Sequence, residues 1–120
     1  MKDRNIIQEK TFLFAIRIVN AYKFLVVKKK EFVLSKQLLR CGTSIGANTE
    51  EAIGGQTEKD FFAKWNIVYK EARETHYWIR LLKETNYFSE NEAISLLNDC
   101  TEILKIVGSI IKTMKQKINS

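Results

Sequence analysis

Few residues in this sequence could support acid–base or metal chemistry. The one plausible set consists of four glutamates and the single histidine: Glu50, Glu51, Glu71, Glu74 and His76. Di-iron sites in helical bundles use Glu-x-x-His, because residues three apart on a helix project from the same face. Glu74 and His76 are two apart, and there is no second histidine in the sequence to complete such a site. We therefore predict no metal site and no cofactor.

Nucleophilic catalysis is the other chemistry to consider. Ser44 or Cys41 would need an adjacent base such as histidine to act as a nucleophile. His76 is far along the next predicted helix. The sequence therefore predicts a protein that is not an enzyme.

The stretch RCGTSIGANTEEAIGG, residues 40–55, has the small and hydroxyl-bearing residues of a phosphate-binding loop. A P-loop ends in Gly-Lys-Ser/Thr after a strand, and a dinucleotide loop needs a third glycine in a βαβ unit. Neither pattern is present, and apolar residues continue through the stretch at helical spacing. Gly42 and Gly46 are four apart and lie on one helix face, where a neighbouring helix can come close. We predict a tightly packed helix here.

The remaining elements are predicted from caps and apolar periodicity. The chain has no proline, only five glycines and 45% hydrophobic residues, a composition that favours long helices. Short connections imply antiparallel neighbours, and hence an all-α, up-down-up-down four-helix bundle forming a single domain over residues 1–120. The predicted helices run from about Asn5 to Val27, from an N-cap at Ser35 with a Leu34–Leu39 staple to Gly54-Gly55, from a Thr57–Asp60 cap to about Asn86, and from a Ser89–Glu92 capping box to about Lys117.

Antiparallel pairing of the second and third helices places residues whose numbers sum to about 111 opposite each other. Arg40 is then expected to meet Glu71, and Gln37 to meet Glu74. Asn48 and Glu51 could satisfy backbone or partner groups at the glycine-lined crossing.

The first and third helices have more apolar surface than one bundle can bury. In the first helix, 13 of the 16 residues from Phe12 to Val27 are apolar. The third adds five residues outside its core stripe: Phe62, Tyr69, Tyr77, Trp78 and Leu81. Because every helix of a four-helix bundle has an outer face, this surplus predicts a homo-oligomer.

The basic charge is concentrated in the first third of the chain. Of the net charge of +6, residues 1–40 contribute +7 from ten Lys and Arg against three acids. In one subunit such an excess fits either charge-driven binding of RNA or DNA or a solvated face that only aids solubility, and repetition of the charge in an oligomer favours binding. No recognition motif or exposed aromatic platform is identifiable, so base-specific binding has no support. The candidate binding residues are Lys23, Lys28, Lys29, Lys30, Lys36 and Arg40.

An alternative is a protein-interaction scaffold, in which the aromatic surplus of the third helix docks a partner such as a polymerase. Nucleic-acid binding predicts a salt-sensitive affinity, whereas a scaffold predicts a salt-tolerant protein complex. The polar N-terminus MKDRNIIQEK and the absence of a span-length apolar run predict a cytoplasmic protein with no membrane association. Cys41 and Cys100 are then expected to be reduced core thiols.

The segment LLRCGTSIGANTEEA, followed by DFFAKWNIVYKEARETHYWIRLL, resembles the S23 ribosomal protein-like family of four-helix bundles encoded within intervening sequences of 23S ribosomal RNA. The accessory variability protein of diversity-generating retroelements is a relative. The resemblance implies a ring-like homopentamer without a known activity. The retroelement relative binds nucleic acid and a reverse transcriptase, through positions outside the shared motif. The motif residues expected to be structural are Gly42, Ser44, Gly46, Asn48, Glu51, Lys70, Glu71, Glu74 and Trp78.

Overall fold

The computed structural model describes the backbone of residues 2–119 and the side chains of residues 6–119. Four helices account for nearly all of this part of the chain, which contains no strand. The predicted all-helical, four-helix fold is therefore confirmed, and so is the helical state of residues 40–53. The helices are α1 (Lys2–Val27), α2 (Leu34–Ile53), α3 (Glu58–Glu84) and α4 (Glu90–Asn119).

The four helices surround one core. Helix α2 packs on α1 and α3, and α4 packs on α3 and α1, so each helix has two neighbours. Apolar residues at three-and-four spacing supply the buried side chains, since that spacing keeps them on one helix face. The largest fully buried side chains are Ile7, Phe14, Ile18 and Leu25 of α1, Leu38 and Ile45 of α2, Trp65, Val68, Ile79 and Leu82 of α3, and Ile103 and Val107 of α4.

The crossing of α1 and α2 is as close as the two glycines predict. A Cβ atom added at Gly42 would lie 2.7 Å from Cγ2 of Ile18, and one at Gly46 would lie 3.2 Å from the carbonyl oxygen of Thr11. The glycines therefore allow α1 to approach the α2 backbone.

The predicted caps of α3 and α4 are confirmed. The amide of Asp60 donates to Oγ1 of Thr57 at 3.0 Å, and the amide of Glu92 donates to Oγ of Ser89 at 3.2 Å. Each hydroxyl satisfies an amide of the first turn that has no partner within its helix.

The predicted N-cap of α2 is wrong. Ser35 lies inside the helix, and the capping group is the carboxylate of Glu31. It accepts hydrogen bonds from the amides of Val33 at 3.2 Å, Leu34 at 3.0 Å and Ser35 at 2.7 Å. A glutamate side chain can reach three amides at once, and its negative charge suits a helix N-terminus. Leu34 is therefore the first residue of the helix, so the expected Leu34–Leu39 staple does not apply.

Replacement of Glu31 with alanine is expected to lower the free energy of unfolding by about 2 kcal/mol, because three amides lose their acceptor at a buried helix start. Urea denaturation at neutral pH measures this loss. Glu31→Gln serves as the control, since its amide oxygen can still accept hydrogen bonds but carries no charge. An unfolding free energy in Glu31→Ala equal to that of the unmodified protein would contradict the capping role.

The Glu31 cap should also depend on pH. Burial opposes ionisation of this carboxyl, but hydrogen bonds from the amides of Leu34, Ser35 and Val33 outweigh it, so the pKa of Glu31 lies below its ordinary value of 4.5. A lowered folded-state pKa gives stability that is complete above pH 4.5 and is lost as the pH falls through the folded value. The stability difference between the unmodified protein and Glu31→Gln should therefore shrink on acidification.

Candidate nucleic-acid interface

Five lysines lie at or next to the connection between α1 and α2, and we refer to them as the lysine end: Lys23, Lys28, Lys29, Lys30 and Lys36. All five are exposed. None forms an ion pair with any side chain among residues 6–119. The ammonium of Lys29 lies 5.9 Å from the centre of the Phe24 ring, where a weak cation–π attraction holds it.

Backbone hydrogen bonds order the part of the connection that carries Lys28, Lys29 and Lys30. The amide of Lys28 donates to the carbonyl of Phe24 at 2.9 Å, and the amide of Glu31 donates to the carbonyl of Leu25 at 3.0 Å. Lys30 has a φ of 54°, in the left-handed region, and turns the chain toward α2. The only acid in the connection is Glu31, which is 9% exposed and bonded to three amides. Within the connection, therefore, no carboxylate is free to pair with these lysines, although Lys29 shares a cleft with Glu84, Glu90 and Glu92.

Arg40 is the weakest of the six predicted contact residues. Its guanidinium donates to Glu71 at 3.4 Å, as the antiparallel pairing predicts, and also to Glu74. Glu74 in turn accepts from Nε1 of Trp78 at 3.0 Å. The partners of Glu74 are thus Arg40 and Trp78. The expected contact between Gln37 and Glu74 is not formed. Arg40 joins α2 to α3, and its positive charge is largely neutralised by the two carboxylates.

The other motif residues make contacts with α1, within α2 and with α3. Gly42 and Gly46 face α1, as described above. Asn48 satisfies a backbone group, one of the two roles expected of it, because its Nδ2 donates within α2 to the carbonyl and hydroxyl of Ser44 at 2.9 and 2.8 Å. Glu51 accepts from Lys64 of α3 at 3.0 Å. The motif residues that join α2 to α3 are therefore Glu51, Glu71 and Glu74, with Trp78 supporting Glu74.

The two cysteines are buried free thiols, as expected. Cys100 donates to the carbonyl of Ala72 at 3.2 Å, and Cys41 donates to that of Leu38 at 3.7 Å. Burial raises the pKa of Cys41 to about 11 and that of Cys100 to about 12. Both thiols are therefore protonated at neutral pH and are weak nucleophiles.

The residues considered for metal or acid–base chemistry are separated. Glu71 and Glu74 meet at Arg40, while Glu51 pairs with Lys64. Burial and the charge of Arg80 lower the pKa of His76. Within the described residues, no three His, Cys, Asp or Glu side chains gather in a way that could hold a metal ion.

A second basic surface, which the sequence reasoning missed, follows the outer face of α3. We call Lys70, Arg73, Tyr77 and Arg80 the α3 stripe. All four side chains are exposed, and the guanidinium carbon of Arg80 lies 5.8 Å from the centre of the Tyr77 ring. Their spacing of three, four and three residues is the available sequence signal. Tyr77, which the sequence places outside the core stripe of α3, is 48% exposed.

The rest of the apolar surplus lies mainly on α1. Of the apolar surplus expected on α3, Phe62, Tyr69 and Trp78 are partly buried and pack against the core, while Tyr77 is 48% exposed. On α1, by contrast, three neighbouring apolar side chains are exposed, and we call them the α1 apolar face: Phe12 at 64%, Leu13 at 52% and Ile16 at 45%. None of the described helices combines the length and apolar character needed to cross a bilayer.

The comparison with protein families decides where this helical arrangement belongs. The model of the 23S rRNA-intervening sequence protein family matches residues 3–109. The chain belongs to this family. The resemblance predicted from the α2 and α3 motifs is therefore confirmed.

A crystal structure shows the same fold in a relative of this 23S rRNA-intervening sequence protein. The relative is a protein of unknown function from the S23 ribosomal protein family of Bacteroides thetaiotaomicron, determined at 1.70 Å resolution. The two sequences are 55% identical over 93% of this chain and 99% of that chain, with a TM-score of 0.90. No curated protein matched the chain. Both the lysine end and the α3 stripe lie within the part that matches the family model.

Proposed function

We propose that this 23S rRNA-intervening sequence protein is a non-enzymatic, cytoplasmic homo-oligomer that binds RNA or DNA through charge. The observation that supports this most is the lysine end, where five exposed lysines have no ion-pair partner among residues 6–119. Lysines that neutralise phosphates release condensed counterions, and this release drives binding to any sequence.

We infer an up-down-up-down arrangement of the helices, because contacts between neighbouring helices run in opposite order along the chain. Residues 18 and 11 of α1 meet residues 42 and 46 of α2, and residues 17 and 10 meet residues 99 and 102 of α4. This arrangement places the α1–α2 and α3–α4 connections at the same end. In agreement, Lys29 of the first connection lines a common cleft of about 660 Å³ with Lys83, Glu84, Glu90 and Glu92 at the second.

The α1 apolar face supports self-association. Phe12, Leu13 and Ile16 are each about half exposed or more in one subunit, and burying them against another copy removes apolar surface from water. The family resemblance makes a pentamer the expected assembly. A ring of subunits repeats the lysine end in every copy and multiplies the positive potential.

Changing Lys28, Lys29 and Lys30 together to glutamine is expected to weaken nucleic-acid binding by about tenfold or more, and about equally for unrelated sequences. The slope of log affinity against log salt should flatten by about 0.9 for each of these lysines that contacts a phosphate of duplex DNA. Fluorescence anisotropy with short labelled DNA and RNA at two salt concentrations measures both effects.

A matched triple variant on α4 controls for the loss of three positive charges. Lys105, Lys112 and Lys115 are also exposed, and their joint replacement by glutamine should change binding much less. Equal losses in the two variants would argue against a localised interface. If the unmodified protein fails to bind at low salt, the proposal of nucleic-acid binding is wrong.

A protein-interaction scaffold is the second candidate function, and the α1 apolar face favours it because a protein partner could cover Phe12, Leu13 and Ile16. Such a complex would tolerate salt, unlike binding through the lysine end. A salt-resistant complex with another protein, together with no affinity for nucleic acid, would favour the scaffold.

A further inference from the structure

The α3 stripe is a second charged surface, on a different helix from the lysine end. Its four side chains recur every three or four residues, so they lie on one face of α3. From Lys70 to Arg80 the stripe is about 15 Å long at the helical rise per residue. A surface of this length can contact several consecutive nucleotides of one strand.

The positive charges of the stripe are not neutralised within the subunit. Lys70, Arg73 and Arg80 form no ion pair with any side chain among residues 6–119. The nearby acids of α3 are paired elsewhere: Glu71 and Glu74 with Arg40, and Glu84 with Lys83. The α3 stripe therefore keeps three positive charges with no carboxylate partner in the described part of the chain, although residues 41–80 have a net charge of −1 in the sequence.

Tyr77 places an aromatic ring among these cations. The ring is 48% exposed and packs against that of Trp78, with the ring centres 5.1 Å apart and the ring planes at 74°. The guanidinium carbon of Arg80 lies 5.8 Å from the ring centre, and Arg80 follows Tyr77 by three residues. Arg73 precedes Tyr77 by four residues, so the two arginines flank the tyrosine along the helix. An aromatic ring flanked by arginines is typical of sites that stack unpaired bases.

We propose that the α3 stripe binds single-stranded nucleic acid, with a base stacked on Tyr77 and phosphates contacted by Lys70, Arg73 and Arg80. This inference rests on the proposed function and deepens it. A single strand is favoured over a duplex because paired bases are already stacked and cannot offer a face to the ring. An acidic protein segment would match the charges but would leave the exposed ring without a planar partner.

The experiment compares an oligouridine RNA of about 12 nucleotides with a duplex of about 16 base pairs by fluorescence anisotropy. Tyr77→Ala is expected to lower the affinity for the single strand about tenfold and to leave duplex binding unchanged. Tyr77→Phe keeps the ring and should bind like the unmodified protein. Because Tyr77 lies on the surface, circular dichroism should show that both variants retain their helices.

Joint replacement of Lys70, Arg73 and Arg80 with glutamine tests the phosphate contacts. It should flatten the salt slope for the single strand by about 0.7 for each phosphate that these side chains neutralise. Single-strand binding that is insensitive to Tyr77→Ala and to this triple variant, in a protein that still responds to the Lys28, Lys29 and Lys30 changes, overturns the inference alone. A polyglutamate peptide that binds the stripe more tightly than the RNA also overturns it. Failure of the unmodified protein to bind any nucleic acid instead overturns the proposed function.

Discussion

Replacement of Gly42 with leucine should destabilise the protein by about 3 kcal/mol, because the site has no room for a side chain. Even the first added carbon would lie 2.7 Å from Cγ2 and 2.8 Å from Cγ1 of Ile18. Ile18 is fully buried and branched at Cβ, so it cannot turn away without disturbing the core. Relief of the clash requires α1 and α2 to move apart, which exposes apolar surface along their crossing.

The smaller change Gly42→Ala separates this steric effect from helix propensity. Alanine favours a helix over glycine by about 1 kcal/mol, yet we expect a net loss of stability because the clash outweighs that gain. Gly108 is the matched control within α4. A Cβ atom there would lie 3.5 Å from Cε2 of Tyr69, an ordinary contact, so Gly108→Ala should be neutral or stabilising.

Urea denaturation of the three variants measures these free energies. Opposite signs for Gly42→Ala and Gly108→Ala would support the close crossing. A stabilising Gly42→Ala would contradict the close crossing of α1 and α2, since helix propensity would then determine the change in stability at both positions.

Features that depend on short stretches of chain were predictable from the sequence. The helical state of residues 40–53 follows from unbroken apolar spacing, and the Thr57 and Ser89 caps follow from motifs of four residues. The Arg40–Glu71 pair required only antiparallel neighbours and a short connection. In each case the deciding interaction is local or follows from simple helix geometry.

The Glu31 cap was missed for a physical reason. N-caps are ordinarily predicted from Ser, Thr, Asp or Asn beside the first helical residue, and Ser35 fits that pattern. The left-handed Lys30 instead turns the chain so that the longer Glu31 side chain reaches three amides. This choice depends on the path of the connection, which residue types alone do not determine.

Of the two basic surfaces, one was predictable from the sequence and the other was not. The lysine end was predictable because its residues are close in sequence and the preference of lysine for solvent needs no tertiary information. The α3 stripe was not, because the charge of that part of the chain averages to nearly zero. In the structure Glu74 as well as Glu71 pairs with Arg40, so neither carboxylate is left to neutralise the stripe.

Replacing Leu13 and Ile16 with glutamine should dissociate the oligomer. Each side chain is about half exposed in one subunit, so burying the rest contributes about half of the 1.5–3 kcal/mol of full burial, and the two substitutions together weaken each subunit contact by about one to two orders of magnitude. Glutamine keeps the net charge at +6, so a change in assembly cannot be attributed to repulsion between subunits. Light scattering should give a mass near 14.0 kDa for the variant and a multiple of it for the unmodified protein.

Ile94 supplies the control for the α1 apolar face, since its 42% exposure is close to the 45% of Ile16 but it lies on α4. Ile94→Gln should leave the mass of the oligomer unchanged.

If the dissociated Leu13 and Ile16 variant also binds nucleic acid less tightly, although its lysine end is intact, then the ring acts by presenting several lysine ends to one strand. Linked sites of this kind bind more tightly than single sites without any new contact. An unmodified protein with the mass of a single chain would instead show that the α1 apolar face does not join subunits, and would leave it available to a different protein.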